Sequence, residues 1–176
     1  MKQLLPLLAL LLLGTGCATR PNGQDYLALQ PEFDLFQFFD GDVVAYGLVQ
    51  NRSGDVVQQF TVDIRGSVAG NRLTLDERFT YTLGEGLRER VWTIERGADG
   101  TYRGEAGDIL GAASGRTFGS AFQWEYQMDL PVGDGEVRVR FNDWIWALDD
   151  AHILNRSYIQ KFGFDVAEVT LFMQRR

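Results

Sequence analysis

Three acids and one arginine in this chain can be gathered into a single cluster by strand pairing alone. In the stretch LTLDERFTY, Leu73, Leu75, Phe79 and Tyr81 alternate as the inward face of a half-buried strand, and Glu77 falls in the same register. A carboxylate buried without a partner neutralises by raising its pKa, so this position demands compensation. A two-residue turn at Gly84-Glu85 would place Glu77 opposite Trp92 and Phe79 opposite Arg90, leaving Arg90 as the diagonal neighbour of Glu77. A three-residue turn over Ala98, Asp99 and Gly100 then sets Arg90 opposite Asp108. A hairpin closing between Val132 and Gly135 sets Trp124 opposite Asp143 and Tyr126 opposite Phe141.

The interior expected from these registers carries Glu77, Arg90, Asp108 and Asp143 among the aromatics Phe79, Trp92, Trp124 and Tyr126. Two chemistries fit. One is an ion-pair network that fixes strand register, since buried pairs often serve specificity rather than stability. The other is a polar anchor for a ligand head group: three carboxylates to one guanidinium suit a cationic or hydroxyl-rich head, or leave one acid protonated. A glycosidase-like hydrolase using Glu77 with Asp108 or Asp143 is a third and minor reading, because it needs a wide cleft. His152 is the only histidine and Cys17 the only cysteine, so no multi-histidine or cysteine-based metal site, and no cofactor, is expected.

The elements that must position this cluster are strands. Turn signals recur at RSGD (52 to 55), VAGN (68 to 71), LGEG (83 to 86), GADG (97 to 100), VGDGE (132 to 136) and KFGF (161 to 164). Apolar residues alternate between them from Phe33 onward, giving strands over 43 to 51, 56 to 67, 72 to 83, 86 to 96, 101 to 109, 116 to 130, 136 to 148, 153 to 160 and 165 to 175. Consecutive hairpins of this kind predict an all-β fold, an antiparallel up-and-down lipocalin-like β-barrel of about eight to ten strands with little helix. The glycines between Gly104 and Gly119 read as bends of a closed sheet rather than as a phosphate loop, which would need a lysine and a following helix. Ala45, Gly47, Gly104 and Ala106 point to space inside, whereas Phe60, Phe79, Trp92, Phe122, Trp124 and Tyr126 point to filling. In NDWIW, inward Asp143 and Ile145 turn Trp144 and Trp146 outward, either as an exposed contact patch for a partner or membrane interface or as cover for a C-terminal helix or loop.

The N-terminus reads as an address. Lys2 precedes an apolar run from Leu4 to Leu13, too short to span a bilayer and right for a signal-peptide core. Gly14, Thr15 and Gly16 lead into Cys17, and this resembles the bacterial lipobox. The resemblance implies that residues 1–16 are removed, that Cys17 receives acyl chains, and that the protein stays on a membrane through them. Ala18, in the place where an aspartate implies inner-membrane retention, points to an outer-membrane lipoprotein facing the periplasm. Residues 17–32, ATRPNGQDYLALQPE after the cysteine, read as a lipid-anchored tether, and residues 33–176 as one domain. The net charge of −7, more negative once Lys2 leaves, opposes nucleic-acid binding.

Across the mature chain FFDGDVVAYG, NRSGDVVQQF, LTLDERFTY, RVWTI, GEAGDILGAASGRTFGSAFQWEY, NDWIW and NRSYIQKFGFDVAEVTLFMQR resemble the DUF3833 family of bacterial proteins, many of them lipoproteins. The meander, Gly41 after an aromatic pair and the C-terminal hairpin ending in Arg175 are also similar to lipocalin and calycin barrels. These likenesses imply a ligand-holding barrel without implying a catalyst. The expected function is binding of a lipid or other amphipathic small molecule inside the barrel, with a packed barrel that binds an envelope protein as the alternative.

Overall fold

A computed structural model describes residues 20–176; the segment expected to be a signal peptide, residues 1–16, and Cys17 lie outside the described residues. Ten strands close into an antiparallel barrel: β1 (Gly41–Asn51), β2 (Val56–Ala69), β3 (Arg72–Leu83), β4 (Glu89–Arg96), β5 (Thr101–Ala106), β6 (Ala113–Phe118), β7 (Ala121–Val132), β8 (Gly135–Ala147), β9 (His152–Lys161) and β10 (Phe164–Arg175). Each strand pairs with its neighbours in sequence, and β10 returns to β1 with Val43 opposite Arg175, so no sheet edge remains unpaired. The up-and-down barrel expected from the turn spacing is the fold.

Two of the three predicted registers hold. Trp124 lies opposite Asp143 and Tyr126 opposite Phe141. The β4–β5 pair runs Trp92 with Ala106 and Ile94 with Gly104, the register expected of the turn at Gly100. The β3–β4 pair is displaced by two residues: Glu77 faces Arg90 rather than Trp92, and Leu75 faces Trp92. The reason lies in the end of β3, which leans on β2 instead of folding straight back. Gln58 Nε2 donates to the Glu85 carbonyl at 2.5 Å and Thr82 Oγ1 to the Gln59 carbonyl at 3.2 Å, and the connection to β4 lengthens accordingly. A shift of two keeps every side chain on its face, so the predicted inward set survives. The segment expected as one strand over 116–130 is two, because Gly119, with φ +54°, turns the chain between Phe118 and Ala121.

A short helix, α1 (Leu35–Phe39), replaces the strand-like reading of the segment after Phe33. Asp34 caps it, accepting from the amides of Phe36 at 2.8 Å and Gln37 at 3.1 Å. Burial raises the Asp34 pKa, but those amides and Arg96, whose Nη2 donates at 2.5 Å, outweigh it and hold the carboxyl low. All four apolar residues of α1 are buried, because the helix is a stopper rather than a surface element. Phe36 packs on Tyr102 at 6.0 Å, Phe33 on Phe122 at 6.1 Å, and the Phe39 carbonyl presses so closely on Gly66 that a Cβ there would lie 1.6 Å from it. One end of the barrel is thereby closed by aromatic rings.

Residues 20–32 do not hang as a free tether. They run along the outer wall: Arg20 pairs with Asp165 and lies 4.2 Å over the Tyr158 ring. Gly23, which opens a 3₁₀ turn (Gly23–Tyr26), is buried against the Phe118 ring, and the Gly119 carbonyl accepts from Phe33 N at 2.8 Å.

Candidate functional site

The interior changes character along the barrel axis. Toward the helix-plugged end, Leu73, Leu75, Ile94, Tyr102, Phe122 and Ile153 are buried. Toward the hairpin end, the inward-facing Val49, Phe79, Tyr81, Ala167, Val169 and Leu171 are only partly buried while still packing on the core. The rim at this end is therefore looser than the layers beneath it, where Phe60, Met128, Val139 and Ile159 are buried. Its wall is aliphatic on β1 and β10 and aromatic on β2 and β3, where Phe60 lies 5.4 Å from Tyr81 and 5.9 Å from Phe79.

The polar cluster lies between these halves. The Arg90 guanidinium grips Asp108 with Nη2 to Oδ2 at 2.6 Å and Nε to both oxygens at 3.1 and 3.2 Å. Its ring contacts are Trp92 at 5.7 Å and Phe79 at 6.0 Å. Burial works against the Arg90 charge, yet Tyr126, Glu77 and Asp108 around it raise its pKa above the ordinary value. Glu77, directly across the strand pair, receives the field of Arg90 but makes no hydrogen bond within the described residues. Burial pushes it from 4.5 up to about 7; Arg90 opposes that rise and Asp108 and Asp143 add to it.

Asp143 is raised from 3.8 to about 7, again by burial first, with Ser157 and Arg90 pulling the other way. One of its oxygens, Oδ1, is buried with no partner. Glu77 and Asp143 lie deep among protein atoms and yet keep some accessible surface, as expected of side chains lining a space rather than filling it. The buried Tyr126 phenol is held well above its usual range by burial and by the neighbouring Asp143 carboxyl, and its ring stacks on Phe141 at 4.8 Å. The site therefore combines one fixed cation, gripped by Asp108, with two acids that burial raises far above the ordinary carboxyl range.

Two further polar groups escaped the sequence reading. Asn155 and Ser157 are buried on β9, facing Ile145 and Asp143 respectively; Asn155 Nδ2 donates to the Trp144 carbonyl at 3.2 Å and Ser157 Oγ to Asn155 Oδ1 at 3.3 Å. Alternation with Ile153 and Ile159 was the available signal.

Trp92, Trp124 and Tyr126 lie in the core, and Phe79 packs against it only partly buried. Trp92 lies 5.8 Å from Trp124 and 5.4 Å from Tyr126. Gly104 and Gly115 seat the Trp124 indole: a Cβ at either would approach its ring to 2.5 and 2.3 Å. Gly47 is filled in the same way by Phe60 and Leu171, so neither it nor Gly104 opens the space that its small size suggested.

Trp144 and Trp146 do point outward, but they are not an exposed pair: Trp144 is covered and Trp146 is half-buried. Trp144 is only 3% exposed, because the N-terminal strap lies on it, with Tyr26 at 5.9 Å from Trp144 and 6.1 Å from Trp146 and Phe118 stacked at 5.9 Å. The cover comes from the N-terminal side of the domain, not from a C-terminal helix or loop. On the opposite outer wall a depression of about 500 Å³ is lined by Asp42, Asp63, Arg65, Asp76, Arg78 and Arg176. Charges there pair with one another, Arg65 with Asp42 at 3.2 Å and Arg176 with Asp63 at 3.0 Å, and are well exposed, so the interior cluster is the stronger candidate.

The family model described as a protein of unknown function, DUF3833, matches residues 10–175. The chain belongs to the DUF3833 family. No curated protein matches this DUF3833 chain. Among solved structures, the S-type phycobiliprotein lyase CPES from Guillardia theta is similar to it, with a TM-score of 0.56 at 10% sequence identity, covering 80% of this chain and 90% of that one. At that identity the likeness is one of barrel fold.

Proposed function

We propose that this protein is a lipid-anchored envelope protein that holds one amphipathic small molecule, such as a lipid, in the upper half of its barrel. The observation that carries the reading is the change of packing along the axis: a stoppered, densely filled lower half beneath a ring of partly buried apolar side chains with an unpaired acid oxygen at the boundary. Hydrocarbon would lie against Val49, Val169, Leu171 and Phe79. A cationic or hydroxyl-rich head would meet Glu77 and Asp143, whose near-neutral pKa values let them accept or donate hydrogen bonds as the ligand requires. A free carboxylate would face two acids and find the one guanidinium already engaged by Asp108.

The anchor belongs to the same reading. Cys17 would carry acyl chains, each buried methylene contributing ~0.8 kcal/mol, and the address would be the periplasmic face of the outer membrane. No helix among the described residues is long and apolar enough to cross a membrane.

Mass spectrometry of lipids extracted from protein purified out of membranes tests the binding. The expected result is an amphiphile at near-equal molar ratio to protein, lost when Leu171→Trp fills the upper interior. An empty protein whose unfolding is indifferent to added lipid would overturn the proposal.

A further inference from the structure

The geometry points to the hairpin end of the barrel as a membrane-facing rim: the open end would sit on the lipid bilayer surface, so that the interior opens toward the membrane itself. This rests on the anchored-barrel reading above. It is carried by where the exposed apolar residues lie and where the described chain begins.

The β3–β4, β5–β6, β7–β8 and β9–β10 connections all lie at one end, and they present Leu83 and Leu87, Leu110, Val132, and Phe162 and Phe164 to solvent. Phe162 is 88% exposed and Phe164 66%. The opposite end carries aliphatic Leu27, Leu29, Val68 and Leu148 and, at 37% exposure, Phe172 stacked on His152, beside the acids Asp99, Asp149 and Asp150. Solvent-facing phenylalanine on a hairpin tip gives the folded barrel nothing by burial.

Phe162 is also a poor choice for its turn. Its φ is +51° and that of Gly163 is +81°, the pattern of a two-residue turn whose first position favours asparagine, aspartate or glycine. A bulky side chain there costs of order 1 kcal/mol or more. Lys161 holds its ammonium 4.8 Å from the Phe162 ring, so the tip pairs an aromatic with a cation, as residues at a membrane interface do. Around the rim the acids Asp55, Glu85, Glu89, Asp134 and Glu136 outnumber the bases Arg52, Arg88 and Lys161, so apolar contact, working against charge, would have to seat it.

The chain's path supplies the direction. Arg20, the first described residue, is fastened to Asp165 of the β9–β10 hairpin region and to Tyr158. Cys17 precedes Arg20 by only three residues, a stretch of chain that spans at most about 10 Å from the Arg20 backbone. An acyl anchor at Cys17 would therefore draw this end to the bilayer, whereas the plugged end would face away.

Single-cysteine labelling of the full chain tests this. Phe162→Cys and, on the opposite end, Leu148→Cys would each be labelled with an environment-sensitive fluorophore in vesicles of phosphatidylethanolamine and phosphatidylglycerol, with unsubstituted protein reporting any label taken by Cys17. The expected result is a blue-shifted emission at 162 that lipid-borne quenchers reduce several-fold more than at 148. Equal quenching at both positions, or quenching at 162 only by aqueous iodide, would overturn the rim. Lipid extraction from the same samples separates the two proposals: a loaded interior with a water-exposed label at 162 removes the rim alone, and a bilayer-exposed label over an empty interior removes the ligand alone. Label entering Cys17 of the unsubstituted protein would contradict the acyl anchor.

Discussion

Glu77 and Asp143 are acids that folding holds near neutrality, which makes stability depend on pH in an unusual direction. Their folded pKa values, about 7, lie above the ordinary 4.5 and 3.8. Well below pH 4 both folded and unfolded chains are protonated and the full stability is present; as pH rises from about 4 to about 7 the unfolded chain ionises first and stability is lost, at most ~1.4 kcal/mol per unit of displacement, levelling off above about 7 where both states are charged. Asp34, held low, acts oppositely but only below its ordinary value of 3.8. Urea unfolding should therefore show a decline between about pH 4 and pH 7, flat above that, which Glu77→Gln reduces and Glu77→Gln with Asp143→Asn nearly removes. Parallel profiles in all three proteins would show that the acids do not titrate within the barrel. Arg90→Met should cost about 3–5 kcal/mol by leaving Asp108 uncompensated, and combining it with Asp108→Asn should recover part of that loss.

Much of this cluster was legible before any coordinates, because alternation decides which face a residue occupies and turn residues decide register to within a pair. Glu77 facing Arg90 instead of lying diagonal to it is a two-residue error, and two-residue errors leave faces unchanged. Asn155 and Ser157 were missed because polar residues among Ile153 and Ile159 look like the solvent face unless the apolar register is followed through them.

Strands read well where turns punctuate them, and the segments that read badly are those whose conformation is set by what they touch. FDLFQFF has apolar residues compatible with both a strand and a helix, and only the open barrel end beneath it selects a fully buried helix. Residues 20–32 carry proline and glycine and look like linker, but Tyr26 finds Trp144 and Trp146, contacts that no local pattern announces. Tyr26→Ala should loosen this strap, with a red shift of tryptophan emission and a loss of about 1–2 kcal/mol in denaturant unfolding. An unchanged emission maximum would place the strap off the wall. Within the sheet, Gly115→Ala should cost about 1–3 kcal/mol, since its Cβ would press on the Trp124 ring at 2.3 Å and the Gln123 carbonyl at 2.7 Å. Wild-type stability with an unaltered near-ultraviolet dichroism spectrum would contradict the seating of that indole.

The whole barrel is polar along its axis: a helix stoppers one end, partly buried apolar walls lead to the other, and acids with one arginine mark the boundary. A closed sheet gives two possible fates to its interior, complete filling or a place for a ligand, and here the lower half takes the first and the upper half is proposed to take the second. Trp92 and Trp124 lie just below that boundary as built-in reporters. Titration of the purified protein with a dansyl-labelled alkylamine, followed by energy transfer from these tryptophans, tests the claim most directly. Saturable transfer with one probe per chain, abolished by Leu171→Trp and weakened by Glu77→Gln with Asp143→Asn, is the predicted result. Transfer that is absent, or that persists undiminished when the upper interior has been filled, would contradict it.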